Sequence, residues 1–305
     1  MNRVLVSLTI ATLCAAMSFA NAQEAFKTPE DAASALVIAA KAGDMKTLAT
    51  VLGPDGDAIV SSGDKVADAT TRQKFVAAYE AKHQIAMEGD NNATLVIGND
   101  GYPLPIPIVR KEGMWRFDTV AGRQEILARR IGKNELDAIQ SCLAYVDAQT
   151  DYAAKDRTGG GTGVYAQRIV SRPGKKDGLY WPTVQGEDPS PLGELIAEAT
   201  TQGYRVGAGR TPYHGYYFKI LTKQGAAAPG GELEYVVRGK MIGGFALVAY
   251  PAEYRNSGVM TFIVSYEGTV FQKDLGLNTV KLAQRMTSFN PDKTWQKVTD
   301  TAPIQ

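Results

Sequence analysis

Apolar residues along this chain follow three patterns in turn. The first is unbroken. Met1-Asn2-Arg3 gives a short positive start, residues 4–19 are almost continuously apolar, and Ala20-Asn21-Ala22 supplies the small-x-small pattern of a leader-peptidase site. Cleavage is therefore expected between Ala22 and Gln23. The run is short for a membrane span, and Leu13 before Cys14 is not the small residue that lipid attachment requires. The expectation is export to a bacterial periplasm, or secretion, with no stable membrane span left after cleavage.

The second pattern has a helical period. Thr28-Pro29-Glu30-Asp31 reads as a capped helix start, followed by Ala32, Leu36, Ala39 and Ala40 on one face until Gly43. Asp44 predicts a second, short helix with Leu48, Val51 and Leu52 inward. Residues 53–63 read as a turn-rich loop. A third helix is expected from Thr70 or Thr71, with Phe75, Val76, Tyr79 and His83 near one face. Residues 122–156 predict one long helix or two abutting ones, because Gly132 interrupts the stripe and Asn134 could cap a restart. Ile139, Leu143, Tyr145, Val146 and Tyr152 continue its apolar face.

The third pattern has a period of two. It appears at Thr94-Leu95-Val96-Ile97 and Met114-Trp115-Arg116-Phe117, and at Ile106 and Ile108, whose flanking prolines suit an edge strand. It returns after Gly159-Gly160-Gly161-Thr162-Gly163, which reads as a flexible joint. Extended runs are expected at residues 164–170, 178–184, 213–222, 233–238, 245–250, 259–265 and 269–273, with Glu267-Gly268 turning the last pair into a hairpin. Ser190 should cap a helix through Leu192, Leu195, Ile196 and Ala199, and Asn278 a final one with Val280, Ala283 and Met286. Helices followed by antiparallel strands, twice, predict an α+β protein. Its expected organisation is a leader (residues 1–22), an N-terminal helix-plus-sheet domain (23–121) whose order of elements resembles the cystatin-like or nuclear transport factor 2-like folds, a connecting helix (122–158) and a C-terminal sheet domain (159–305).

Composition narrows the chemistry. The formal net charge of +1 and the absence of long charged runs give no footprint for nucleic acid. Beyond Cys14, Cys142 stands alone, so no intrachain disulfide can form in the mature chain, and its place between Ile139, Leu143 and Val146 predicts a buried hydrophobe. The two histidines, His83 and His214, lie in different domains and cannot build a His-rich zinc site. Asp55-Gly56-Asp57 and Asn99-Asp100-Gly101 are acidic turns without the spacing of a calcium loop. No G-x-S-x-G turn is present. Ser62-Gly63-Asp64-Lys65 fits S-x-x-K but sits in a glycine-rich loop with no K-T-G partner. Gly207-Ala208-Gly209-Arg210 lacks the Gly-Lys-Ser/Thr of a phosphate loop. Asp177 with Glu187 or Asp188 could be imagined as a glycosidase pair, but nothing fixes their separation. No cofactor is expected.

What remains is a polar and aromatic set: Tyr165, Gln167, Arg168, Lys176, Asp177, Tyr180, Trp181, Tyr213, His214, Tyr216 and Tyr217. On a strand from Tyr213, alternation would put His214, Tyr216, Phe218 and Ile220 on one face, with Gly215 leaving room on the other for a ligand or another backbone. Either these aromatics fill the gap between sheet and helix, or they line a groove for an extended peptide or glycan strand.

Two resemblances bear on this. Asn134-Glu135, Ala138-Ile139, Ala148-Gln149 and Tyr152-Ala153-Ala154, with Tyr250-Pro251-Ala252-Glu253-Tyr254, Gly258, Thr261-Phe262-Ile263 and Gly268-Thr269-Val270, resemble the first helix and closing hairpin of type IV pilin and pseudopilin heads. Arg129, Arg130 and Lys133 depart from the apolar anchor of those proteins. The segments from Gly174-Lys175-Lys176 to Tyr180-Trp181-Pro182, Ser190-Pro191-Leu192, Tyr213-His214-Gly215-Tyr216-Tyr217 and Gly243-Gly244-Phe245 through Tyr250-Pro251 are similar to a bacterial exported family catalogued as domain of unknown function 2950. That resemblance implies location and fold class but no activity. The leading expectation is a non-catalytic envelope binding or scaffold protein whose partner is an envelope protein, a peptide or a glycan strand. The rivals are an enzyme centred on His214, Arg168 and Asp177, and a pseudopilin-like assembly subunit.

Overall fold

Thr28 opens the first helix as its sequence requires. Its hydroxyl accepts a hydrogen bond from the Asp31 N–H at 3.1 Å, and α1 (Pro29–Ala42) ends at Gly43, whose φ of 66° is left-handed. Asp44 caps α2 (Met45–Leu52) in the same way, and Leu48, Val51 and Leu52 turn inward as expected. The computed structural model describes residues 23–184, 186–205 and 211–299. The leader and the Gly207–Arg210 loop of the sequence reading lie outside them.

Two local readings give way next. The loop after α2 contains a short helix, α3 (Gly56–Val60), and the following helix, α4 (Lys65–Ala81), starts well before Thr70 because Asp64 caps it. Ser62-Gly63-Asp64-Lys65 therefore does stand at a helix start. It is not a nucleophile–base pair, since the buried Ser62 hydroxyl donates to Asp68 at 2.6 Å while Lys65 points to solvent. Burial first, opposed by the Ser62 bonds, lifts the Asp68 carboxyl above its ordinary range.

His83 leaves the helix and begins β1 (His83–Met87), which pairs antiparallel with β2 (Asn92–Ile97). Then come β3 (Tyr102–Pro103), β4 (Ile108–Lys111) and β5 (Met114–Phe117). The sheet order is β1-β2-β4-β5, with β3 also on β2, so β4 is an interior strand and not the edge its prolines suggested. The prolines do not interfere because Pro105 and Pro107 lie before the strand begins. Ala93, Leu95, Ile97, Ile108, Trp115 and Phe117 bury one face of the sheet with the apolar faces of α1 and α2 as a single cluster.

α5 (Thr119–Ala154) is one uninterrupted helix of 36 residues, about 54 Å long at the standard rise. Gly132 does not break it, and Asn134 serves no restart; its amide donates to the Ser257 carbonyl at 2.8 Å. Packing at both ends outweighs the glycine penalty of about 1 kcal/mol. Ile126, near the start of α5, packs on the N-terminal core, whereas Ala138, Ile139, Cys142, Tyr145, Ala148 and Tyr152 belong to a second core.

The second core is built around a five-stranded sheet. α6 (Gly193–Thr201) precedes β6 (Tyr216–Leu221), β7 (Lys223–Gln224), β8 (Leu233–Glu234), β9 (Val236–Val237), β10 (Lys240–Met241), β11 (Ala246–Pro251), β12 (Met260–Ser265) and β13 (Val270–Asp274). A 3-10 turn (Gly276–Asn278), α7 (Thr279–Arg285), β14 (Ser288–Phe289) and β15 (Gln296–Lys297) complete the described chain. The order is β15-β13-β12-β11-β6, and β14-β7-β8 forms a small flanking sheet. All six residues of β11 are buried. α5 lies against β11, β12 and β13, while α7 and β14 also contact β11. A strand covered on both faces reads as a continuous apolar run. The expected hairpin at Glu267-Gly268 joins β12 to β13.

Other expected elements differ. Residues 164–170 and 178–184 form no ladder; isolated bridges Tyr165–Met241 and Val170–Tyr180 hold them. The run at 233–238 is two short strands. Ser190 and Asn278 make no side-chain cap, and the Ser190 hydroxyl is buried without a partner. The glycine-rich joint after α5 is tied down, because the Asp156 carboxylate accepts from the N–H groups of Thr158, Gly159 and Gly160 at 2.7–3.2 Å.

Cys142 is fully buried in the second core, as expected, and burial pushes its thiol up to about 12. The thiolate is the reactive form. Native protein at pH 8 is therefore expected to resist a thiol-specific chromogenic disulfide for hours and to react with one equivalent in denaturant, given removal of the leader. Rapid reaction of the native protein would contradict this burial.

Candidate functional site

The polar and aromatic set divides between two places. The first is an open cleft of about 530 Å³ lined by Tyr152, Val164, Tyr165, Gln167, Arg168, Arg172, Asp177 and Lys240, among others. Tyr152 comes from the last turns of α5. Tyr165 and its neighbours come from a segment pinned by Tyr165 N–H to Met241 C=O at 2.8 Å and by Gln167 Nε2 to Gly239 C=O at 2.8 Å. The opposite wall folds back through Leu179 N–H to Arg168 C=O and Ser171 N–H to Tyr180 C=O. Gly178 permits that fold-back. A Cβ there would sit 2.6 Å from Ser171 N and 2.7 Å from Val170 C.

Asp177 is the carboxylate of this cleft. It accepts from Arg172 N at 2.9 Å and Arg172 Nε at 2.6 Å, and Arg168 Nε lies 3.9 Å away. Burial works against its charge, but the Arg172 bonds and the two guanidinium charges outweigh it and hold the carboxyl below its ordinary value. Arg168 and Arg172 keep most of their donors toward solvent, and Lys240 adds a third cation. Under this wall Trp181 is 4% exposed, edge-on to Tyr152, with the Arg157 guanidinium and the Lys176 ammonium each against its ring. Trp181 is therefore a buried support and not the exposed contact face expected of it. Lys176 reaches Glu187 at 3.6 Å, and Tyr180 packs into the core edge.

The second place contains Tyr213 and His214. His214 is not in a strand: its φ of 47° and the 73° of Gly215 form a left-handed turn before β6. The strand alternation that joined His214 to Tyr216, Phe218 and Ile220 is thus wrong, because the ladder starts only at Tyr216. His214 Nδ1 lies 3.0 Å from the Asp137 carboxylate, the His214 backbone N–H donates to the Tyr204 hydroxyl, and its ring meets Tyr213 edge-on at 4.2 Å. Burial opposes charge on Asp137, but the bonds from His214 and Lys133 prevail and lower its pKa. Burial, with Glu198 and Asp137 nearby, pushes the Tyr213 hydroxyl up to about 12. Arg168 and Asp177 take no part here, so the expected grouping of His214, Arg168 and Asp177 is not assembled. Tyr216 is wholly buried with its hydroxyl on the Met260 carbonyl, and Tyr217 packs against Tyr250.

A family model described as a protein of unknown function (DUF2950) matches residues 23–298. The chain belongs to the DUF2950 family. No curated protein and no solved structure matches it. Two of the segments that carried the resemblance have clear roles in this DUF2950 protein: residues 174–182 carry Asp177 of the cleft, and residues 243–251 hold the fully buried strand β11, between β12 and β6.

Sequence reading missed the polar seam between the two cores. Asp64 is 0% exposed; its Oδ1 accepts from Val66 N and Ala67 N, its Oδ2 from the Tyr204 hydroxyl at 2.8 Å and Gly215 N at 2.9 Å. The space at Gly215 is taken by the Asn134 side-chain amide of α5, not by the ligand or backbone expected there. Arg130 donates to the carbonyls of Ala58 and Ile59 and to Asn256 Oδ1, and Glu135 accepts from Val259 N and Met260 N. The S-x-x-K motif, Asn134-Glu135 and Gly215 all drew notice in the sequence, but for other chemistry or a family resemblance and not as parts of one network. Among the described residues no group of three or more His, Cys, Asp or Glu could hold a metal ion, and no helix is long and apolar enough to cross a membrane.

Proposed function

We propose that this DUF2950 protein is an exported, non-catalytic binding or scaffold protein of the cell envelope. Its cleft at Tyr165, Arg168 and Asp177 is where it grips an extended partner, a peptide or a glycan strand. One observation carries the reading: a cleft large enough for several residues or sugar rings combines tyrosine walls with three cations and one carboxylate, all on backbone pinned by hydrogen bonds. The leader-like start of the chain supports the location. Pre-organised side chains bind without the ordering cost of a mobile loop.

The test is retention of the purified protein on insoluble envelope fragments. Arg168→Ala and Tyr165→Ala are each expected to weaken retention about tenfold, the effect of losing roughly 1.4 kcal/mol of contact. No retention, or retention that both variants leave unchanged, would count against the cleft as the binding site.

The His214–Asp137 pair supports the second reading, an enzyme, because a carboxylate that fixes a histidine through Nδ1 is the orienting half of many acid–base sites. A pilin-head-like origin for the C-terminal half is a third, favoured by α5 lying across β11, β12 and β13. Arg129, Arg130 and Lys133 in α5 weigh against filament assembly through that helix.

A further inference from the structure

We infer, resting on the binding reading of the cleft, that the ligand is an acidic saccharide: a glycan strand whose sugars carry carboxylates. The charge balance comes first. Arg168, Arg172 and Lys240 face the cleft against Asp177, a formal excess of two positive charges at the lining. Asp177 satisfies the Nε of Arg172 and stands 3.9 Å from Arg168, so one carboxylate is divided between two guanidinium groups. Each guanidinium carries five N–H donors in a planar fork suited to a carboxylate.

A fourth cation lies behind this lining. The Arg157 side chain is 6% exposed, its carboxylate neighbour Asp151 is 3.6 Å away, and its Nε is buried without a hydrogen-bond partner. Its guanidinium lies against the rings of Tyr152 and Trp181, and Tyr152 is itself a cleft wall. Asp151 and Asp188 offset part of this charge, and the remainder is screened less in low-dielectric surroundings than it would be in water. The preference of the cleft for anions is carried by its lining of three cations and one carboxylate.

The choice of saccharide over acidic peptide follows from the backbone. An extended peptide is commonly held by pairing with an open strand edge. Here the backbone groups beside the cleft are already bonded within the protein: Tyr165 N–H to Met241, the Gly239 carbonyl to Gln167, and the Arg168 carbonyl to Leu179. What faces the ligand is the ring of Tyr165 beside the planar polar groups of Gln167, Arg168, Arg172 and Asp177. Flat rings cover the C–H face of a pyranose, and in-plane donors and acceptors reach its hydroxyls and carboxylate.

Calorimetric titration of the purified protein tests this with four probes: two acidic saccharides (oligogalacturonate and peptide-stripped cell-wall glycan), neutral chito-oligosaccharide, and oligoglutamate. The acidic saccharides are expected to bind at least tenfold tighter than the other two, and binding should weaken severalfold as NaCl rises from about 50 to 500 mM, where charge screening becomes short-ranged. Lys240→Ala and Arg168→Ala should each lose about tenfold for the acidic glycans, with unchanged thermal melts because both side chains are exposed. Equal or tighter binding of the neutral sugar or of oligoglutamate would overturn the acidic-saccharide inference and leave the binding function standing. Absence of binding by every probe, together with no retention on envelope fragments, would overturn both.

Discussion

Asp64→Ala is expected to lower the unfolding free energy by about 3–5 kcal/mol, from a lost helix cap and two buried donors left without an acceptor. Three losses combine. The α4 N-cap is lost, which alone costs about 1 kcal/mol. The Tyr204 hydroxyl and the Gly215 N–H then lose their acceptor in a place water does not reach, at roughly 1–3 kcal/mol each. Asp64→Asn should cost less, because the amide oxygen can still cap the helix and the remaining loss is the Gly215 N–H facing an NH2 donor. Asp57→Ala, an exposed carboxylate nearby, should stay within about 0.5 kcal/mol. Urea denaturation followed by tryptophan fluorescence measures all three. Because Asp64 ties α4 to the turn before β6, the alanine variant should also broaden the transition as the two cores begin to unfold separately. A loss below about 1 kcal/mol would mean that the seam does not couple them.

Gly258→Ala is expected to cost about 3 kcal/mol, at the upper end for overpacking a core. A Cβ at this position would meet the Tyr216 ring, with Cζ at 2.6 Å and the hydroxyl closer still. The ring cannot retreat: Tyr216 is 0% exposed, its hydroxyl is bonded to Met260, and Phe262 packs beside it at 5.8 Å. Tyr216→Phe alone loses that hydrogen bond, at about 1 kcal/mol. Combined with Gly258→Ala it removes the closest clashing atom, so the double variant should be more stable than the sum of the single changes predicts, by about 1 kcal/mol or more. Strict additivity would show that the strain is relieved elsewhere.

Both effects depend on contacts that cross long stretches of chain. The His214 misplacement has the same origin. By alternation Tyr213 to Thr222 reads as one strand, and nothing local distinguishes His214 from a strand residue. Its turn is set by Asp64, Tyr204 and Asp137, which approach from other elements. The cleft was legible in part. Arg168, Asp177, Tyr165 and Gln167 stand out in the sequence and do line the cleft, but Lys176, Trp181, Tyr216 and Tyr217 are grouped with them on residue type alone. Residue type does not distinguish a ring that faces a ligand from one that fills a core. Arg172 and Lys240, which complete the charge of the cleft, were missed because they have no motif around them and reach the site only through the Asp177 bond and the bridge beside Met241.

The sequence by itself determined the α+β class, the capped helices α1 and α2, the β12–β13 hairpin and the buried thiol of Cys142. Each of these follows from residues within a few positions of one another, where caps, turns and hydrophobic period act. Tertiary structure alone decided that α5 runs unbroken through Gly132, that the aromatic set splits between a cleft and a core, and that Asp64 joins two halves of the molecule. Those outcomes depend on groups up to 151 residues apart in sequence, and only packing brings them within hydrogen-bond reach.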